Sequence, residues 1–163
     1  MSAKSPYQVI NPPNTLRAKV PKTGGPSVAE MVADAETALQ EIKDNYEAVV
    51  QADIRRIDNA LSRTKEMPTA AADALQEIFG ISHDIKGQAA SLDYPLLTAI
   101  AQSLCRFIST SEAAALNGLD VVSAHARAMG TVVAHTIRGD GGEHGKKLLG
   151  ALDAAVGKAL SRG

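Results

Sequence analysis

Ser82-His83-Asp84-Ile85-Lys86-Gly87-Gln88-Ala89-Ala90-Ser91-Leu92 is the stretch on which the reading of this chain turns. Its apolar positions Ile85, Ala89 and Leu92 continue a spacing of three and four set upstream by Leu75, Ile78 and Phe79, which predicts an amphipathic helix. On that helix Lys86 follows His83 by three residues and Gly87 by four, so both share surface with the imidazole while Ile85 and Ala89 turn to the core. Glycine inside a helix costs roughly 0.5–1 kcal/mol relative to alanine. Its place beside a histidine therefore predicts that something comes close to the backbone there.

The chemistry this patch suits is phosphoryl carriage. A solvated imidazole, with a pKa of about 6.5, is mostly neutral near pH 7 and can attack phosphorus without a dedicated base. Lys86 offers a point positive charge to phosphate oxygens, through a charge-assisted bond of about 1.5–3 kcal/mol. The expected phosphoacceptor is His83, with Lys86 as its electrostatic support; Asp84, Gly87, Gln88 and Ala90 are the expected partner-binding positions.

The chain around this helix reads as all-α. Aromatic residues make up 3% of 163 residues and Trp is absent, while Ala and Leu are abundant, which suits helices packing through small and medium side chains. Residues 1–26 hold five of the seven prolines and four cations without an acid, and read as a disordered basic tail. Ser27-Val28-Ala29-Glu30 spells a capping box and opens a long amphipathic helix over 27–66. Its stripe, from Val28 through Leu39, Ile42 and Val50 to Leu61, is too long for one bundle to cover. Either the helix bends near Gln51–Asp53, or its first half projects and pairs with another chain, giving a homodimer.

The remainder, 67–163, holds four more helical patterns that can close a bundle. Thr69 is the expected cap of the helix carrying His83, and Asp93-Tyr94-Pro95 the cap and first turn of the next. Asn117-Gly118 closes that region, and Gly139-Asp140-Gly141-Gly142 reads as a flexible connector before the last helix.

His83-Asp84-Ile85-Lys86-Gly87, followed by Gln88-Ala89-Ala90-Ser91-Leu92 and further on by Leu104-Cys105-Arg106, resembles the histidine-phosphotransfer (HPt) family of two-component phosphorelays. The resemblance covers about residues 75–108 and implies a four-helix bundle of HPt type, with His83 exposed in mid-helix and Lys86 and Gly87 in supporting roles. It also implies partners: response-regulator receiver domains and, upstream, a hybrid histidine kinase. No cofactor is expected on this chain, with Mg on the partner receiver only. Asp93 stands where the family usually has glycine, which bears on the turn more than on the chemistry.

Other features point elsewhere only weakly. His125 and His135 lie ten apart and His144 sits in a glycine-rich turn, so no metal site is expected. His135 also has a cation and a glycine at the right offsets, Arg138 and Gly139, but its glycine reads as a helix C-cap and its preceding residues favour core packing. Cys105 reads as a buried, inert thiol. A net charge of −1 gives no general attraction to nucleic acid, and no apolar run is long enough to span a bilayer. One cysteine and no signal-peptide pattern make the cytoplasm the expected compartment. Autonomous kinase activity is not expected, because no segment reads as an ATP-binding domain. The alternatives are a dimeric phosphotransferase built like a kinase dimerisation domain, which His83-Asp84-Ile85-Lys86 also resembles, and a non-catalytic helical adaptor.

Overall fold

The computed structural model describes residues 24–162, less the side chain of Lys65, and these residues contain helices but no strand. The expected disordered tail lies, for residues 1–23, outside the described residues. The chain divides into two compact units, up to Leu39 and from Gln40 onward.

In the first unit the capping box forms as read. Ser27 N–H donates to Glu30 Oε2 at 2.6 Å, and Glu30 N–H donates to Ser27 Oγ at 3.2 Å. These bonds hold the Glu30 carboxyl below its usual range. Helix α1 (Val28–Glu66) starts here and stays helical for 39 residues, across Gln51–Asp53 included. Val28, Met31, Val32 and Leu39 are all exposed.

The second unit takes in the rest of α1, where Tyr46, Val50, Ile54, Ile57, Ala60 and Leu61 are buried. This half of the helix therefore belongs to the bundle whose start the sequence places at residue 67. A 3₁₀ turn (Pro68–Ala70) leads into α2 (Ala71–Ser91), and α3 (Pro95–Thr110) packs extensively against it. A short α4 (Glu112–Asn117), capped by the Ser111 hydroxyl accepting from Ala114 N–H, leads to α5 (Leu119–Ala134), and α6 (Gly142–Leu160) lies against α3, α4 and α5. Leu75, Ile78, Ile85, Leu97, Ile100, Leu104, Phe107 and Met129 fill the core with essentially no exposure. The periodicities of the sequence thus place most core positions correctly.

Three local readings need correction. Thr69 caps nothing: Ala70 N–H bonds Met67 O and Ala71 N–H bonds Pro68 O, so the 3₁₀ turn satisfies the start of α2 with backbone carbonyls. Asp93 does not cap α3 but ends α2. Tyr94 N–H reaches back to Ala89 O at 3.1 Å with Asp93 at φ +66°, the left-handed residue of a Schellman motif. The loop from Gly139 to Gly142 is tied down, not loose: Gly139 N–H donates to Asp93 O, its carbonyl accepts from Leu96 N–H, and Gly142 N–H donates to Asp140 Oδ1. A Cβ on Gly145 would collide with the Asp140 carbonyl, so glycine is needed where α6 folds back over that loop.

These turns meet at Glu47 of α1. Tyr94 Oη donates to Glu47 Oε1, Thr136 Oγ1 donates to Oε2 at 3.4 Å, and the Arg138 guanidinium lies 3.8 Å from the carboxylate and 5.5 Å over the Tyr94 ring. Tyr46 packs beside Tyr94 with ring centroids 5.9 Å apart and donates to Ile85 O at 3.4 Å. The Tyr46 and Tyr94 contacts fix α1 against the helix that carries His83.

Candidate functional site

His83 is the thirteenth of the 21 residues of α2 and is exposed. The core face of α2 is set by Ile78, Ile81, Ser82, Ile85 and Ala89, all buried, and the periodicity that buries them turns His83 outward. Asp84, Gly87, Gln88 and Ala90 are exposed with it, and Lys86 is half-buried. All six residues singled out in the sequence therefore come together on one stretch of helix. Among the described residues, neither Lys86 nor Asp84 has an ion-pair partner within 4.0 Å, so the ammonium is available to an incoming anion.

Two neighbours were not foreseen. The Phe79 ring, one turn before His83, stacks on the imidazole with centroids 6.2 Å apart and planes at 27°. It braces the ring from the side nearest the core. Gly80, three residues before His83, is exposed like Gly87, and a Cβ on either would meet nothing within 4 Å. The fold does not ask for glycine at either position. Gly80 and Gly87 bracket His83 on the face it points from, leaving bare backbone on both sides of the imidazole. In the sequence Gly80 stands about one helical turn upstream of His83.

Beyond Gly87 the surface dips into a groove of about 550 Å³ between α1 and α2, lined by Ile42, Tyr46, Val49, Gly87, Gln88 and Leu92. On the other flank, Cys105 of α3 is buried, its sulfur 4.0 Å from the Phe79 carbonyl, and burial pushes its thiol up while Lys86 opposes the shift. A thiol held protonated in this way is a poor nucleophile.

The other histidines differ from His83 and from one another. His135 is exposed, not packed as expected, but it is the C-cap of α5 and lies beyond its last helical residue. His144 is exposed in the first turn of α6. His125 is wholly buried: Nδ1 donates to Val121 O at 2.8 Å, and Nε2 faces Ser103 Oγ at 3.2 Å. Ser103 Oγ is in turn 3.4 Å from Asp153 Oδ1 on α6. Burial lowers the pKa of His125, with the Val121 carbonyl and Asp153 opposing. Because Nδ1 must carry a proton for Val121, the neutral ring accepts from Ser103 and ties α5 to α3. It is a structural histidine. Among the described residues no three His, Cys, Asp or Glu side chains converge as a metal would require, and no helix is long and apolar enough to cross a membrane.

Comparison with known proteins bears on this arrangement directly. No curated protein and no solved structure matches the chain. The family model of the Hpt domain, however, matches residues 26–156, which spans the His83 helix and the bundle around it as far as Val156 in α6. With an exposed histidine in mid-helix of an all-helical bundle and a match over most of its length, the chain belongs to the Hpt domain family, whose members carry out histidine phosphotransfer in two-component phosphorelays.

Proposed function

We propose that His83 is the residue that carries the phosphoryl group, exchanging it with the aspartate of a response-regulator receiver domain. The observation that supports this best is the conjunction at one place of an exposed imidazole, an unpaired Lys86 and two glycines the fold does not need. In the forward step an imidazole nitrogen attacks the phosphorus of the receiver's aspartyl phosphate. The N–P bond forms as the acyl P–O bond breaks, and the aspartate leaves as carboxylate. Lys86 lies where its charge can follow the phosphoryl oxygens in either direction. Phe79 holds the imidazole in place, and Gly80, Asp84, Gly87, Gln88 and Ala90 form the surface on which the receiver rests. The metal that this exchange calls for is supplied by the receiver, a hybrid histidine kinase is the upstream donor, and the exchange takes place in the cytoplasm. A second copy of the chain pairs along the exposed stripe of α1.

The test is transfer from a receiver labelled on its aspartate. His83→Gln abolishes the acid-labile label on this chain, and Lys86→Ala slows its appearance by about tenfold, the equivalent of one charge-assisted bond lost from the transition state. His135→Gln, which removes the other histidine with a cation and a glycine in register, leaves uptake intact. Label that survives in His83→Gln and vanishes in His135→Gln moves the site; label untouched by either change ends the phosphocarrier reading.

A further inference from the structure

Most apolar positions in the first part of α1 follow a stricter rule than amphipathicity. Val28, Val32, Ala35, Leu39, Ile42, Tyr46 and Val49 are spaced alternately four and three apart, a heptad seam running for three repeats. Val28, Val32, Leu39, Ile42 and Val49 are each about half exposed or more. Tyr46 alone is turned into its own bundle. Glu30, Asp34, Gln40, Glu41 and Asp44 fall on the far side of the helix, so the polar face is as regular as the apolar one. A lone surface helix has no need of a period of 3.5, whereas a helix wound about another helix does.

The charges beside the seam choose the direction. With Val32, Leu39 and Tyr46 at heptad positions a, and Val28, Ala35, Ile42 and Val49 at d, the flanking e positions hold Glu36 and Lys43, and the g positions hold Met31, Ala38 and Asn45. Two parallel copies would set e against g, pairing Glu36 with Met31 and Lys43 with Ala38, with no attraction. Two antiparallel copies set e against e and a against d. Leu39 then faces Ile42, Val32 faces Val49 and Glu36 lies against Lys43, each pair occurring twice by symmetry, while Ala35 comes opposite the backbone of Tyr46, whose side chain stays in its own bundle. Neither Glu36 nor Lys43 has an ion-pair partner within 4.0 Å among the described residues.

We infer that two copies of this chain pair antiparallel along α1, in the register that sets Leu39 against Ile42 and Glu36 against Lys43. This rests on the pairing of copies proposed above and gives it a direction. Ile42 and Val49 also line the groove that Gly87 and Gln88 border.

The full chain is tested in two steps. Mass in solution comes first: a dimer is expected, weakened by salt because its ion pairs are exposed. Glu36→Lys or Lys43→Glu alone weakens dimerisation by about tenfold, and the double exchange restores it, since the antiparallel pair is then merely reversed. Next, Val32→Cys and Val49→Cys chains are mixed and oxidised. A disulfide between the two kinds of chain is expected, and none within either kind, because in this register Val32 of the two copies stand about 25 Å apart. Cross-linking of Val32→Cys to itself overturns the direction while leaving the pairing of copies standing. A monomer overturns both, and label appearing on His83 of that monomer would still bear out the phosphocarrier reading by itself.

Discussion

His83 is open to a partner in this reading: it is exposed, the Phe79 ring stacks beside it, and Gly80 and Gly87 bracket it without side chains. The glycines make the same point from the other direction. A Cβ at Gly87 would meet nothing, so Gly87→Ala removes a helix-weakening residue and raises stability by about 0.5–1 kcal/mol. Gly87→Leu folds as well as the parent but slows transfer from a receiver, because the added bulk stands where the partner must sit. The check is thermal unfolding and transfer rate on the same samples; a Leu variant that transfers like the parent would show the glycine to be incidental. Spacing in the sequence sets His83, Lys86 and Gly87 on one patch of a helix, and the structure has them together there. Phe79 escaped because half-buried aromatics on a helix ordinarily read as core, and Gly80 because a single glycine upstream of the motif has no partner in sequence to mark it.

At the scale of the helix, starts were read less well than faces. Ser27 is a true cap with its reciprocal Glu30, yet Thr69 and Asp93, of equally suitable residue type, cap nothing. Side-chain type states what a residue could accept, whereas backbone turns next to proline decide what is left over to be accepted. Asp93 shows the consequence. It fills the left-handed position of a Schellman motif, where any residue with a Cβ bears a cost and glycine does not. Asp93→Gly is therefore expected to stabilise the bundle by about 0.5–1 kcal/mol, the relief of strain being partly offset by the greater freedom of glycine in the unfolded chain. Denaturant midpoints of parent and variant decide it; a loss of stability would mean that the Asp93 carboxylate does something its backbone does not. The need for glycine at Gly118 and Gly141 was legible only as a break and that at Gly145 not at all, since the approach of Leu96 to Gly141 and of the Asp140 carbonyl to Gly145 depends on how the chain folds back there.

For the molecule as a whole, the buried His125 couples folding to pH. Its folded-state pKa lies below the value of about 6.5 found in an unfolded chain, so between the two values the unfolded state binds the extra proton. Stability is then complete above about pH 6.5 and declines as pH falls through that window. Asp153, 3.4 Å beyond Ser103, softens the loss, because a protonated ring can donate to Ser103 and the hydroxyl can turn to the carboxylate. The denaturant midpoint should drop between about pH 7.5 and pH 5, and His125→Gln, less stable at the upper value, should show a shallower drop; parallel slopes would place the titration elsewhere. The chain has no tryptophan, and two of its three tyrosines, Tyr46 and Tyr94, lie in contact where α1 meets the start of α3. Burial raises both phenols, Tyr94 to about 12, with its hydrogen bond to Glu47 adding to the effect. Near-ultraviolet circular dichroism of this protein is thus chiefly the signal of one tyrosine pair. It would register any loosening of α1 from its bundle while remaining almost silent to events at the imidazole.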